Sequence, residues 1–329
     1  MSTPFIKKYS PQYLKDFQFD SYFVDAIKSL LSLNLLNLLF IGGVGTGKTS
    51  IIRALINEYY RPLHNNASEC NLCESKIAEN VLYINNLSEQ GISYYRTEVK
   101  TFCQIQCSIP NKKKILVLDD LDMVSIQSQQ VFRNCIDSYG SNIHCIASCS
   151  NTQKVINSIQ SRTTIIRLNP VSFDGQIKIA NYICKNENIE ITDEMIEAIS
   201  KITDGSISLL INYLEKYKLL YSSQDKQNIE NVSSTISYNI FDKYINFCKK
   251  NTAYDAIHIL YTLVDKGYSV IDILDNFFYY IKQNSIIHER KKHAIICYIS
   301  NSITIFYNTH EDEIELAIFT KNIIDILND

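Results

Sequence analysis

The sequence predicts an α/β domain on a doubly wound parallel sheet of five strands, followed by an all-helical C-terminal half. Three observations predict it. Short apolar runs alternate with segments of helical periodicity as far as Leu168, as when helices cover both faces of a parallel sheet. One of these runs, Leu38-Leu39-Phe40-Ile41, leads into a glycine-rich turn and then a helix. Beyond Pro170 no further strand pattern occurs, and apolar residues recur at helical spacing to the end of the chain.

At 329 residues the chain has room for two or three domains. Its 46% hydrophobic and 20% charged content is that of a globular rather than a disordered chain. A net charge of −3 gives no global positive field, so a surface for nucleic acid has to be a local patch. No N-terminal stretch combines basic residues, an apolar core and a cleavage site. The most apolar run, Leu30 to Ile41, is interrupted by Asn34 and Asn37 and is too short to span a bilayer, so no membrane partner is expected. Without a secretory signal the ten cysteines are expected to be reduced and buried. Heavy use of Ile, Asn, Tyr and Lys with no Trp suits an AT-rich genome, such as that of a large DNA virus or an AT-rich protist.

The chain opens with a basic and aromatic arm, Lys7-Lys8-Tyr9-Ser10-Pro11, before an amphipathic helix near Tyr22 to Leu33. The strand Leu38–Ile41 follows. From Gly42 to Thr49 the residues fit G-x-x-x-x-G-K-[ST], the P-loop, and Ile51, Ile52, Leu55 and Ile56 resume at helical spacing. Glycines let backbone N–H groups turn inward around phosphate oxygens. Lys48 places a positive charge near the outer phosphates, Thr49 offers a hydroxyl to Mg²⁺, and the new helix aims its N-terminus at the anion. A polar, cysteine-bearing stretch from His64 to Ala78 reads as an insertion. Its Cys70-x-x-Cys73 pair has metal-ligand spacing, but the second pair that a structural zinc wants is not evident, and bland burial is the simpler reading.

A second strand, Val81 to Ile84, is followed by the turn Asn85 to Gly91 and a helix, Ile92 to Gln106, carrying Arg96 and Lys100. The third strand, Ile115 to Leu118, ends in Asp119-Asp120. Ser125 to Tyr139 is helical, His144 to Ala147 is the fourth strand, and Thr164 to Leu168 the fifth. Pro170 closes the sheet, because proline cannot donate to the ladder. Three helices follow, Phe173 to Lys185, Asp193 to Ile202 and Ser206 to Leu220. A polar linker, Ser222 to Ser237, leads to a bundle of four or five more. The domains are therefore expected at 1–169, 170–222 and 237–329.

Ligands of such sheets sit at the carboxyl ends of the strands, where Gly42, Asp119 and Asn151 fall. Asp119 suits a carboxylate that holds Mg²⁺, and Asp120 a group that polarises an attacking water. Asn151 has the chemistry to hydrogen-bond that water or the γ-phosphate, though an asparagine after a strand is also an ordinary turn residue. Arg162 has the chemistry of an arginine finger, which neutralises charge on a transferred phosphoryl, though an exposed arginine is also an ordinary surface charge.

Together these pieces resemble the small subunits of replication factor C, clamp loaders of the AAA+ class. Lys8-Tyr9-Ser10-Pro11 resembles the family's E-K-Y-R-P motif, which packs on adenine. Asn85 to Gly91 resembles N-A-S-D-E-R-G, and Asp119-Asp120-Leu121-Asp122 stands where the family has D-E-A-D. Cys149-Ser150-Asn151 resembles the sensor 1 region. Ile159-Gln160-Ser161-Arg162-Thr163 resembles I-Q-S-R-C, whose arginine acts on the ATP of a neighbouring subunit. The resemblance spans most of residues 5 to 215. It implies an AAA+ domain, a small helical lid and a helical oligomerising collar. It implies ATP and Mg²⁺ as cofactors, with Tyr9, Pro11, Asp119 and Gly42, Gly43, Val44, Gly45, Thr46, Gly47, Lys48, Thr49 and Ser50 as nucleotide contacts. Thr49 and Asp119 would hold the metal, and Asp120, Asn151 and Arg162 would be catalytic.

The implied activity is ATP hydrolysis coupled to loading a ring-shaped sliding clamp onto primer–template DNA, at the intracellular site of replication. The implied partners are sibling subunits in a hetero-pentamer, the clamp, and DNA met by Arg96, Lys100 and Arg133. There are departures. Asp120 replaces the usual Glu, and Ser208 stands where the sensor 2 arginine would fall. Bacterial relatives carry a four-cysteine zinc module where this chain has Cys70 and Cys73. Two further readings therefore stay open: a non-hydrolysing scaffold subunit of the same complex, and another AAA+ DNA machine of the initiator or branch-migration type.

Overall fold

The computed structural model describes residues 3–17, 21–60, 77–84, 94–203, 205–221, 236, 238–284, 287–308 and 312–328. The polar insertion with Cys70 and Cys73, the Asn85 to Gly91 turn and most of the Ser222 to Ser237 linker lie outside them. The chain divides into two compact units, Met1–Gln224 and Asp225–Asp329.

The first unit carries five parallel strands: β1 (Leu38–Ile41), β2 (Val81–Ile84), β3 (Lys114–Leu118), β4 (Ile143–Cys149) and β5 (Thr164–Arg167). Their order is β2-β3-β4-β1-β5. In register, Leu38 stands opposite Ile146 and Thr164, and Ile41 opposite Cys149 and Arg167. Alternate residues of each inner strand enter opposite cores. Leu38, Phe40, Ile115, Val117 and Ile146 pack with Ile51, Ile52 and Leu55 of α3 (Lys48–Tyr60). Leu39, Leu116, Leu118, Cys145 and Ala147 pack with Phe132, Cys135 and Ile136 of α5 (Ile126–Tyr139). Burial on both faces is why these strands read as continuous apolar runs. β5 is an edge strand, and three of its four residues are exposed.

Helices α1 (Phe5–Lys8) and α2 (Ser21–Ser32) precede the sheet. Before β3, a π-helical turn, Tyr95–Val99, runs into α4 (Lys100–Gln104). α5 starts at Ser125, whose hydroxyl accepts from the Ser128 N–H. A short α6 (Asn157–Gln160) precedes β5. Then α7 (Phe173–Glu187), α8 (Asp193–Thr203) and α9 (Ile207–Tyr221) pack on one another. α7 is capped by Ser172, and Asn188 closes it in the left-handed conformation at φ 51°.

The second unit contains α10 (Tyr238–Lys249), α11 (Ala253–Asp265), α12 (Val270–Gln283), α13 (Glu289–Asn308) and α14 (Ile314–Asn328). Its core gathers Phe241, Tyr244, Leu260, Phe277, Ile295, Ile299 and Ile323. Tyr244 is fully buried and bonds Thr320 Oγ1 at 3.2 Å. Among the described residues no helix is long and apolar enough to cross a membrane.

Candidate nucleotide-binding site

β1 delivers the chain to a loop that only glycine-rich sequence can build. Gly45 and Gly47 take φ values of +75° and +91°, which side chains with a Cβ rarely adopt. A Cβ at Gly42 would stand 2.7 Å from Thr46 Oγ1 and 3.1 Å from the Leu168 carbonyl oxygen. A Cβ at Gly47 would meet nothing within 4 Å, so it is the positive φ there, not crowding, that calls for glycine. Lys48, 8% exposed, folds back so that Nζ donates to the Gly42 and Gly43 carbonyls at 2.9 and 2.8 Å. Val44 projects outward, 86% exposed, and Ser50 lies half-buried in the first turn of α3.

β3 brings Asp119 to the same end of the sheet. Thr49 Oγ1 donates to Asp119 Oδ2 at 2.9 Å, and Ser148 Oγ of β4 donates to Asp119 Oδ1. Ser148 also accepts from the Asp120 N–H at 3.0 Å, so one buried hydroxyl fixes both aspartates. Asp120 adopts the left-handed conformation, φ 51° and ψ 52°, and its exposed carboxylate makes no hydrogen bond among the described residues. Desolvation and the Asp119 charge push its pKa up, and Lys48 partly offsets them.

Asp122 holds the end of β4. Its Oδ2 accepts from Ser150 Oγ at 2.7 Å and from the Asn151 and Ser150 N–H groups at 3.1 and 3.2 Å. Burial pushes its pKa up, but these bonds outweigh it and leave the carboxyl below its ordinary value. Asn151 Oδ1 caps the next turn by accepting from Gln153 N at 2.9 Å. Gln129, fully buried, donates to the carbonyls of Leu121, Val124 and Lys154 and accepts from Ile156 N, tying the exits of β3 and β4 together.

The loop also meets α9. Ile207 N–H donates to the Gly45 carbonyl at 3.1 Å, and a Cβ at Gly45 would fall 2.0 Å from Ser206 Oγ. Tyr9 also meets these helices, its hydroxyl donating to Glu187 of α7. Pro11 is half-buried in the arm between Tyr9 and Gln12.

Arg162 is not gathered with these groups. It precedes Thr164, which pairs with Leu38 at the start of β1, whereas the P-loop follows Ile41 at its end. The two lie at opposite ends of parallel strands, roughly 10 Å apart along β1 alone at about 3.3 Å per residue. Arg162 Nε meets Asp137 Oδ1 at 2.5 Å, and Nη1 donates to the Ser158 carbonyl at 2.8 Å. Asp137 also takes Arg133 Nε at 3.3 Å. Arg162 first, and Arg133 with it, hold the Asp137 carboxyl below its usual range. Arg96 and Lys100 are exposed beside buried Tyr95 and Val99.

The donor set fits the expected cofactors. A glycine loop with two residues at positive φ, a lysine ammonium at its base, and a hydroxyl touching a carboxylate are what a polyphosphate and a hard divalent cation require. Sequence reasoning gave Ser148, Gln129, Asp137 and Glu187 no role. The signal for Ser148 was a polar residue at the end of an apolar strand; the others had none. Among the described residues there is no cluster of three His, Cys, Asp or Glu groups able to hold a metal.

Residues 38–171 match the model of the ATPase family associated with various cellular activities (AAA). Residues 236–302 match that of the replication factor C C-terminal domain. The chain is 29% identical over 292 residues to a replication factor C small subunit of Picrophilus torridus, covering 88% of this chain and 87% of that one. It is 28% identical over 324 residues to one of Thermoplasma volcanium, covering 97% and 96%. Among solved structures, the RuvB Holliday junction branch migration motor of Thermotoga maritima matches at TM-score 0.50 and 13% identity, over 68% of this chain and 70% of that one. That likeness is one of fold.

Proposed function

The chain belongs to the replication factor C small-subunit family of AAA ATPases, and from that premise we propose how it works as a clamp-loader subunit. It binds ATP with Mg²⁺ at the ends of β1 and β3, and it offers Arg162 to the nucleotide of a neighbouring subunit. The observation that carries this reading is the separation of Arg162 from the P-loop along β1 and β5. An arginine at the far end of the strands serves a site that its own protomer does not contain.

In this reading Lys48 leaves the Gly42 and Gly43 carbonyls for phosphate oxygens, and Thr49 and Asp119 hold the metal. Bound ATP supplies the phosphoanhydride whose cleavage drives the cycle. Asp120 orients the attacking water, and Asn151 hydrogen-bonds that water or the γ-phosphate. Residues 1–169 form the nucleotide-binding domain, 170–222 the lid and 237–329 the collar. Sibling subunits pack head to tail in an open five-membered arc, a heterologous geometry. The arc loads a sliding clamp onto primer–template DNA, and Arg96, Lys100 and Arg133 meet DNA phosphates, in contacts that weaken with salt. The short side chain of Asp120, with Ser208 in place of an arginine, favours weak turnover at this subunit's own site. Such a subunit contributes chiefly as a scaffold and a finger donor.

Titration of the full chain with ATP tests the nucleotide site. Lys48→Ala is expected to weaken binding by roughly two orders of magnitude, the scale of lost charged hydrogen bonds. Unchanged affinity would remove the P-loop from the reading.

A further inference from the structure

Glu187 ends α7 with its side chain only 7% exposed, yet it takes three donors. Lys8 Nζ and Tyr9 Oη approach Oε1, each at 2.5 Å, and Lys218 Nζ of α9 approaches Oε2 at 2.6 Å. A carboxylate so nearly removed from water needs such partners. Lys218 first, then Lys8 and Tyr9, hold its pKa down at about 2. The same arm is fastened again where Phe5 N–H donates to Glu215 Oε2 at 3.2 Å. The Tyr9 ring meets Tyr182 of α7 edge-on, with centroids 6.2 Å apart. On its other side the arm is tied to α3, where Asn57 Nδ2 donates to the Gln12 carbonyl at 3.0 Å. Tyr9, Ser10 and Pro11 are thus strung between one fixed point on the P-loop helix and another on α7 and α9.

We propose that Glu187 is a positioning residue for base recognition: it holds the arm carrying Tyr9 and Pro11 where the nucleotide base docks. The proposal rests on the reading that Tyr9 and Pro11 meet adenine. Its chemistry separates two contributions to affinity. The phosphate contacts belong to Lys48 and the glycine loop, which Glu187 does not touch. The base contacts depend on an arm whose order Glu187 maintains in advance of binding.

The test uses the full-length chain with Mg²⁺, titrated with ATP and separately with inorganic tripolyphosphate. Glu187→Gln removes the charge that three donors share. It is expected to weaken ATP about tenfold, the scale of a lost charged hydrogen bond, and to leave tripolyphosphate within about twofold. Tyr9→Phe removes one donor without disturbing the two lysines, and serves if the glutamine variant does not fold. It should show a smaller loss for ATP and none for tripolyphosphate. Unchanged ATP affinity in both variants overturns the proposal, and so does an equal loss for the two ligands, which is damage to the lid helices at large. If the parent chain binds neither ligand, the nucleotide-site reading falls and this inference with it. If the parent binds both and Lys48→Ala binds both roughly a hundredfold more weakly, the reading stands and Glu187 is judged on the contrast alone.

Discussion

Arg162 and Asp137 show how a surface arginine is held in place at the end of the sheet away from the glycine loop. The guanidinium is held at Nε by Asp137 and at Nη1 by the Ser158 carbonyl. Exposed ion pairs of this kind add little to stability, so under the proposed action in trans the arrangement would matter for aim rather than for folding. Arg162→Ala should leave this subunit's own ATP affinity intact and depress turnover of the assembled complex. Asp137→Asn keeps the Ser158 anchor and should lower that turnover less, by about tenfold or under, with melting near that of the parent. Steady-state hydrolysis by the complex, with nucleotide titration of the isolated subunit, reads both; ATP binding lost in isolated Arg162→Ala would contradict action in trans. Lys48 and Thr49 stood out in the sequence because P-loop spacing is local, and Asp119 because it closes an apolar strand. Ser148 and Glu187 did not, because each meets its partners across a fold, 29 residues away for Asp119 and 178 for Tyr9.

The strands were readable because burial on both faces makes them uniformly apolar, and β1 and β2 fall where the sequence places them. β4 runs longer than its apolar stretch, because Ser148 and Cys149 at its end are buried with it. The helix expected from Ile92 to Gln106 is a π-helical turn followed by α4, a change of winding that apolar spacing does not resolve. β4 also carries His144, 3% exposed, whose Nε2 lies 3.0 Å from Asn34 Oδ1 and whose ring meets Tyr59 of α3 edge-on. Burial first, then the Lys113 and Lys112 charges, lowers its pKa from 6.5 to about 4. The folded state therefore binds this proton less readily than the unfolded chain. Its stabilising contribution is complete above pH 6.5 and is withdrawn as pH falls from there to about 4. The total is about 3 kcal/mol. His144→Gln keeps a donor for Asn34 and should flatten that slope. Denaturant titrations at neutral pH and near pH 4.5 measure it, and an unchanged slope would exclude His144 as the source.

At the scale of the whole chain, the two units have separate cores. The described core residues of the second, Asp225–Asp329, are Ile236 and residues of α10 to α14 together with Ile287. Expressed alone, that segment should be helical and melt in one cooperative step; a broad melt with dye-binding apolar surface would show that it depends on the first unit. The bundle was legible only as helices, since helical spacing reports which face is buried and not which helices meet. Its kinship emerged from the replication factor C C-terminal domain match across residues 236–302.

On the proposed action in trans, the opposed placement of Arg162 and the glycine loop on paired strands would give each protomer a direction, like a hook with its eye at the other pole. A closed ring of such protomers would leave every eye hooked. Any row that stays open must end in one bare cradle and one idle guanidinium. Its number of working sites is then always one fewer than its members, and the protomer at one end can be spared its own chemistry without cost to the rest.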